Sequence, residues 1–319
     1  MSNIEVVIPT FNSQKTIGQT LESIASQVVK PRMVHIVDDC SQDSTLLEVE
    51  RFRPIIPLNI IMFKENIGLW AARNAGVAAV EAEFVSFVDS DDILLPTHLQ
   101  EHRDSFAEGF DAVATNYLDW IPENGLTRND PRRFPSKGKL DEKIIAGNFM
   151  ASFSSIRCCV LDDVGGFRPE VTEDWDLWIR FFRKGYSVVK TDAPTYLYRW
   201  RKGSLSRLPD AFVRDWKTLN LARSEVMTTL HKRLVEKSMK KLMLIAFING
   251  SDYSPVASER VSQECLRSTR LLDQLLCWAN LIIPKKVRKV SCTLLRQYKA
   301  GNKRKWKFAR VIDCERKAN

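Results

Sequence analysis

The sequence predicts an α/β fold: a mostly parallel, doubly wound sheet flanked by helices, followed by a helical C-terminal extension. Short apolar strands alternate with amphipathic helices from residue 4 to about 117, the β-α-β-α rhythm of a parallel sheet. Two of these strands end in clustered aspartates, Asp38-Asp39 and Asp89-x-Asp91-Asp92. In open α/β sheets, ligands bind at the carboxyl ends of the strands. Beyond Ser206 the strand patterns stop and helical periodicity takes over.

Ile4–Pro9 reads as the first buried strand, and Ser13 is placed to cap the helix that follows. That helix carries Ile17, Leu21, Ile24, Ala25 and Val28 at a 3.6-residue period. Met33–Val37 is the second strand, Thr45–Phe52 a short helix, Leu58–Phe63 the third strand and Leu69–Val80 a helix. Phe84–Val88 is the fourth strand, apolar and β-branched. A helix from Pro96 to Glu108 and a strand at Asp111–Tyr117 complete the alternation. Residues 119–138, with prolines and glycines among charges, read as a loop or flap. Leu140–Gly147 is a candidate helix. Thr172 is an N-cap for the helix containing Glu173, Asp174 and Asp176 in or near its first turn, and Gly185 stops it. Tyr186–Lys190 and Tyr196–Trp200 read as strands. Helical patterns then cover Ala211–Ile248, Pro255–Ile283 and Val287–Tyr298. The expected division is residues 1–207 for ligand binding and catalysis and residues 208–319 as a basic helical region.

Charge separates these parts. Residues 208–319 hold 24 Lys and Arg against 10 Asp and Glu, a net +14, leaving −5 on residues 1–207 out of +9 overall. Two readings of the basic part stand: a platform for an anionic membrane, or a helical cap with a solvated face. Nucleic acid is a third partner class, but no nucleic-acid motif accompanies the charge. The seven cysteines show neither C-x-x-C nor zinc-finger spacing, which points to idle thiols in a reducing compartment. The longest apolar runs, Leu242–Ile248 and Leu275–Ile283, are too short to span a bilayer. No signal peptide is visible at the N-terminus, so the expected location is cytoplasmic, either soluble or peripheral at the inner membrane face.

Three carboxylates at one strand end repel each other unless something positive sits among them. A divalent cation with the phosphates it bridges meets that need, and a solvated acidic turn is the other reading. No G-x-G-x-x-G follows the first strand, which removes the common dinucleotide fingerprint.

Six segments occur in order: V-V-I-P-T-F-N (6–12), V-D-D-C-S-Q-D-S-T (37–45), N-I-G-L-W-A-A-R-N-A-G (66–76), F-V-D-S-D-D (87–92), G-G-F-R (165–168) and T-E-D-W-D-L-W-I-R (172–180). Together they resemble family 2 glycosyltransferases over roughly residues 4–206. The resemblance implies a GT-A type, Rossmann-like fold and a nucleotide-diphosphate sugar donor, UDP-linked in the first instance. It implies single-sugar, inverting transfer to a hydroxyl of a glycan or lipid-linked acceptor, as in surface polysaccharide synthesis, with Mg²⁺ or Mn²⁺ as cofactor. Asp89 and Asp91 match the D-x-D, one reaching the ribose and Asp91 holding metal. Asp92 is second to these or caps the next helix. Asp39 matches the aspartate that accepts from the base, with Pro9, Thr10 and Asn12 walling the base pocket and Asp38 capping the turn. Arg73 is either a diphosphate or base-pocket contact or a solvated helix residue. Asn74 and Gly76 read as close-packing positions. Asp174 matches the catalytic base, with satisfaction of the helix dipole as its other reading. In many relatives a histidine stands where this chain has Arg201, which can pair with diphosphate directly. Trp200 stacks on acceptor or fills core. Tyr196 occupies the place of the glutamine in the processive Q-x-x-R-W signature. The acceptor is expected against residues 119–157. A homo-oligomer is compatible with the sequence. The alternative function is a catalytically idle nucleotide-binding module docked through its basic tail.

Overall fold

The computed structural model describes residues 3–122, 125–129, 134–135, 139–200, 211–225 and 228–249. A seven-stranded sheet forms the centre. It is built from β1 (Ile4–Thr10), β2 (Val34–Asp38), β3 (Leu58–Met62), β4 (Phe84–Phe87), β6 (Ala112–Ala114), β9 (Ser155–Arg157) and β10 (Val188–Lys190). The spatial order is β10-β6-β9-β4-β1-β2-β3. All neighbours run parallel except β9, which is antiparallel to both β4 and β6. Register pairs Thr10 with Asp38 and Asp38 with Met62, so the acidic end of β2 is flanked by both neighbours.

A smaller four-stranded sheet, ordered β5-β11-β7-β8, stands beside it, made of β5 (Ile93–Leu94), β7 (Tyr117–Ile121), β8 (Leu126–Asn129) and β11 (Tyr196–Arg199). The strand expected at Asp111–Tyr117 is thus two strands in two sheets. The flap expected at 119–138 contains the β7–β8 hairpin instead. Its tight turn at Gly125, with φ of 64°, reads locally as loop, and only the pairing of β7 with β11 makes the segment a strand.

The helices are α1 (Ile17–Ala25), α2 (Thr45–Glu50), α3 (Leu69–Ala78), α4 (His98–Ala107), α5 (Leu140–Ala146), α6 (Cys158–Asp163), α7 (Glu173–Arg183), α8 (Ala211–Glu225) and α9 (Thr229–Asn249). One core packs Val7, Val37, Val85 and Phe87 against α5, α7, α8 and α9 residues such as Ile144, Trp178, Phe181 and Leu219. The other packs the opposite parity of β1 (Ile4, Val6, Ile8) against Ile17, Leu21, Ile24 and Leu99. Period-2 alternation along β1 feeds both layers, which is why every residue of that strand is buried.

Several local expectations change. Ser13 does not cap α1: its hydroxyl meets Ser90 Oγ at 2.8 Å and the carbonyl of Phe11 at 3.2 Å, and the N-cap position belongs to Thr16. Asp92 does not cap α4, which begins after Thr97. The helical pattern over 211–248 is two helices, α8 and α9. The patterns at 255–283 and 287–298 lie outside the described residues. Among the described residues no helix is long and apolar enough to cross a membrane.

α3 approaches β1 and β2 closely at Gly76. A Cβ there would stand 2.4 Å from Val7 Cγ1 and 3.1 Å from Val37 Cγ2. Asn74, on the same helix, donates to the carbonyl of Phe167 and accepts from its N–H, both at 2.9 Å, and so clasps the Gly165-Gly166-Phe167 turn. Replacing Gly76 by Ala is expected to cost about 1–3 kcal/mol through overpacking, read as a lower urea midpoint; an unchanged midpoint would show that α3 can shift.

α4 carries two fully buried histidines with ring centroids 4.0 Å apart, His98 and His102. His98 Nδ1 meets Thr195 Oγ1 at 3.0 Å, and His102 Nδ1 meets Ser155 Oγ at 2.6 Å. Burial pushes the His98 imidazole down to about 3. Burial, then the neighbouring His98, push His102 well below its ordinary value. Both are therefore neutral when folded at neutral pH. Below about pH 6.5 the unfolded chain takes up protons that the folded chain refuses, so stability falls as the pH drops towards 3. His98 adds up to about 1.4 kcal/mol per pH unit to that loss. Urea denaturation of His98→Gln is expected to show a shallower decline than wild type between pH 6.5 and 4.5; parallel declines would refute it.

Candidate active site

The site forms where β1, β2 and β4 end. Asp38 and Asp39 leave β2 into a turn knitted to the end of β1. Asn12 N–H donates to Ser41 Oγ at 2.9 Å, and Asn12 Oδ1 accepts from Gln42 N–H at 2.8 Å. Asn12 and Cys40 adopt left-handed backbone, with φ of 49° and 67°. Asn tolerates that region because its short polar side chain bonds locally. Asp38 Oδ2 accepts from Ser41 N–H at 3.1 Å, the turn-capping expected of it. Its Oδ1, and Thr10 Oγ1 on β1, are buried without a hydrogen-bond partner. Pro9 is buried, while Asn12 is exposed. Phe11, between them in the same turn, is 48% exposed, a large aromatic just beyond a strand end.

Asp39 is 5% exposed, and its two oxygens accept from the N–H groups of Ile67 (2.7 Å) and Gly68 (2.9 Å). It therefore shapes the loop that opens α3, where Gly68 takes a φ of 90°. Each oxygen retains further acceptor capacity.

Arg73, one turn into α3, is 1% exposed. Its Nη2 donates to Asp89 Oδ1 at 3.1 Å and its Nη1 to Glu173 Oε1 at 2.8 Å. The guanidinium lies 5.4 Å from the centre of the Phe167 ring. Burial opposes its charge, but Asp89, Glu173 and Asp174 outweigh burial and raise its pKa above the ordinary arginine value. The solvated-helix reading fails for this side chain. One cation draws the D-x-D turn after β4 and the acidic start of α7 to the same place, although they are 84 positions apart in the chain (Asp89 to Glu173).

Asp174 Oδ2 accepts from Asn148 Nδ2 at 3.0 Å, and its Oδ1 accepts from Trp175 N–H at 2.8 Å. Trp175 and Trp178 are 5% and 2% exposed. Trp175 Nε1 donates to the carbonyl of Ile144 at 2.7 Å, which anchors α5 to α7.

Asp89 Oδ2 lies 3.5 Å from Ser152 Oγ, and its N–H donates to the Tyr196 hydroxyl oxygen at 3.2 Å. Asp92 is fully buried, accepting from the Tyr196 hydroxyl at 2.9 Å and from Arg199 N–H at 2.7 Å. Burial, then the charges of Asp89 and Asp91, push the Asp92 carboxyl well above the usual carboxylate range. Burial, then the charges of Asp92 and Asp89, push the Tyr196 phenol up as well. Arg199 Nε donates to the carbonyl of Asp91 at 2.5 Å, and its guanidinium stacks 4.3 Å from the centre of the Trp120 ring. Trp200 is half-buried, with its N–H on the carbonyl of Trp120 at 2.7 Å. Arg201 lies outside the described residues.

Among the described residues no group of three or more His, Cys, Asp or Glu is arranged to hold a metal ion. The pair Asp89 and Asp91 is the candidate. The charge they place on buried Asp92 marks a concentration of negative potential that a cation would neutralise. Two carboxylates suffice for Mg²⁺ when phosphate oxygens and water complete the shell.

The uncharacterized glycosyltransferase YwdF of Bacillus subtilis is 27% identical over 200 residues, 61% of this chain and 73% of that protein. WfaP of Escherichia coli, a UDP-Glc:alpha-D-GlcNAc-diphosphoundecaprenol beta-1,3-glucosyltransferase, is 27% identical over 214 residues, 65% of this chain and 80% of that protein. TarS of Staphylococcus aureus, a poly(ribitol-phosphate) beta-N-acetylglucosaminyltransferase, is 40% identical over 97 residues, which is 30% of this chain but 17% of that longer protein. The crystal structure of TarS residues 1–349 in complex with UDP-GlcNAc superposes with a TM-score of 0.62 at 24% identity, over 88% of this chain and 80% of that one. That likeness confirms the GT-A fold. The sequence model of glycosyl transferase family 2 matches residues 5–165, from the first strand to the Gly165-Gly166 turn beside Asn74. With that match spanning half the sequence and a cleft joining both acidic motifs, the chain belongs to glycosyltransferase family 2.

Proposed function

We propose that this glycosyltransferase is metal-dependent and inverting, and moves one sugar from a UDP-linked donor to a hydroxyl of a lipid-linked or polymeric glycan. The observation that supports it most directly is the Arg73 bridge, which puts Asp89 and the Glu173-Asp174 pair on one cleft. WfaP and TarS, by their names, act on such acceptors with glucosyl or N-acetylglucosaminyl groups, which motivates the choice of donor and acceptor class.

The donor base occupies the pocket bounded by Pro9, Thr10, Asn12 and Asp39. Asp39 accepts from the base with its remaining lone pairs, and the exposed ring of Phe11 offers a stacking face. Asp89 and Asp91 would hold Mg²⁺ or Mn²⁺, which supplies Lewis-acid stabilisation to the diphosphate leaving group. Asp174 takes the acceptor proton while the acceptor oxygen attacks the anomeric carbon from the face opposite the diphosphate. One C–O bond forms, the bond to the diphosphate breaks, and the anomeric configuration inverts. Asn148 orients the Asp174 carboxylate for this step. Arg73 keeps the base and the donor side in register. The basic C-terminal part docks on an anionic membrane surface, where each Lys or Arg contributes about 1 kcal/mol.

Donor hydrolysis, read as UDP release from UDP-glucose and UDP-N-acetylglucosamine with Mn²⁺, tests the reading. Asp91→Ala is expected to abolish the Mn²⁺ dependence of donor binding; unchanged affinity with unchanged metal dependence would remove the metal assignment. Asp174→Asn is expected to lower turnover by about 10²–10⁴-fold with donor affinity retained; wild-type turnover would remove the base assignment. Arg73→Met leaves Asp89 and Glu173 facing each other without their cation. It should cost about 3 kcal/mol of stability, at the low end for a broken buried pair because Asp89 is part-exposed, and should lower turnover as well. Thermal melts together with the release assay check both effects.

A further inference from the structure

The helix that carries Glu173 and Asp174 starts from a threonine whose polar groups are engaged outside the helix. Thr172 occupies its N-cap position with extended backbone (φ −76°, ψ 96°), yet its side chain makes no capping bond to the helix. A threonine at that position ordinarily accepts from the N–H two or three residues on. Here its hydroxyl donates to Asp215 Oδ1 at 2.5 Å, and its N–H donates to Thr218 Oγ1 at 2.9 Å. The Thr218 hydroxyl in turn donates to the carbonyl of Arg214 at 2.9 Å, and Thr218 is fully buried. Both polar donors of the residue immediately before the carboxylate pair are therefore held by one face of α8.

The attachment continues along the helix. At the far end of α8, Glu225 Oε1 accepts from Arg168 Nη1 at 2.7 Å, and the Glu225 carbonyl accepts from Arg183 at the end of α7. α8 is thus tied beside both ends of α7. Asp215 and Thr172 also line a cavity of about 290 Å³ with Asn148, Trp175, Leu219 and Ser238. Asn148 on its wall is the residue that bonds Asp174. Thr172, next to the carboxylate pair in the chain, and Asn148, bonded to Asp174, join Arg73 and the Trp175 N–H in holding that pair, and α8 grips Thr172.

We propose that Asp215 and Thr218 are positioning residues for catalysis: by fixing Thr172 they set the direction in which the first turn of α7 presents Asp174 to the acceptor. In this role both act through Thr172 rather than on donor or acceptor. α8 lies outside the span matched by the family model, so this assigns part of the C-terminal region a task in the chemistry rather than only in docking. The geometry supports a hydrogen-bond role for Asp215, not a charge role, since the bond needs only an acceptor oxygen. An active-site group displaced by about 1 Å loses up to about 100-fold in rate, so the expected effect is large enough to read.

The proposal rests on Asp174 acting as the base, and the test separates the two. The full-length chain and its variants are assayed for UDP release from UDP-N-acetylglucosamine and UDP-glucose with Mn²⁺, for UDP affinity by calorimetry, and for thermal midpoint. Asp215→Ala is expected to lower kcat about tenfold or more, with donor KM and UDP affinity within about twofold. Asp215→Asn keeps an acceptor oxygen for Thr172 and is expected to restore most of kcat. Thr218→Val, close in volume, is expected to lower kcat in the same way, and serves if Asp215→Ala does not fold. Wild-type kcat in Asp215→Ala or, failing that, in Thr218→Val overturns the proposal. So does an Asp215→Asn enzyme as impaired as Asp215→Ala, or a loss of kcat accompanied by equal loss of UDP affinity. Asp174→Asn runs alongside: if it turns over like wild type, the base assignment fails; if it is inactive while Asp215→Ala is normal, only the positioning role fails.

Discussion

A guanidinium almost wholly withdrawn from water stands between Asp89 and Glu173, and the cleft depends on it. Burying an unpaired cation is costly, and two carboxylates facing each other across a cleft repel. Arg73 meets both conditions at once: each end of its planar fork takes one acid, and the Phe167 ring covers its side. A lysine could not reproduce this, because a single ammonium lacks the fixed fork that spans two partners. The same charge stabilises Asp174 one residue further on. What looks from the sequence like two independent acidic motifs is one electrostatic unit with a buried positive centre.

Placing that centre is a packing problem. Arg73 points correctly only if α3 lies close on β1 and β2, and the missing side chain at Gly76 permits that approach. Asn74 then holds the turn that carries Phe167, so the covering ring and the cation are set by neighbouring residues of one helix. On the opposite side Asp39 pins the two amides where α3 begins. The helix is thereby fixed at its entry, along its buried face and at the turn beyond it, and the guanidinium has little freedom left.

The smaller sheet performs the equivalent task for the D-x-D turn. Tyr196 on β11 bonds both Asp92 and the amide of Asp89, while Arg199 on the same strand bonds Asp92 through its N–H and the carbonyl of Asp91 through its side chain. A buried acid with a raised pKa is costly in isolation. Here it organises a turn whose backbone must hold Asp89 and Asp91 in one geometry. The histidine pair of α4 sits behind the same strand, with the His98 ring 5.8 Å from the Tyr196 ring.

Local residue patterns determined the alternation of strands and helices, the acidic clusters at the ends of β2 and β4, the stop at Gly185 and the close-packing roles of Asn74 and Gly76, because periodicity, turn chemistry and strand-end clustering act between neighbours in the chain. The partners of the polar side chains were decided only in three dimensions. Ser13 and Thr172 carry the chemistry of caps, and Asp92 sits where a cap would, yet each is spent on Ser90, Asp215 or Tyr196, between 43 and 104 residues away. Arg73 is chemically indistinguishable from a solvated helix arginine until α7 arrives. A hydrogen-bonding group takes whatever partner folding brings within 3 Å, and that distance is set by tertiary packing, which no short stretch of sequence contains.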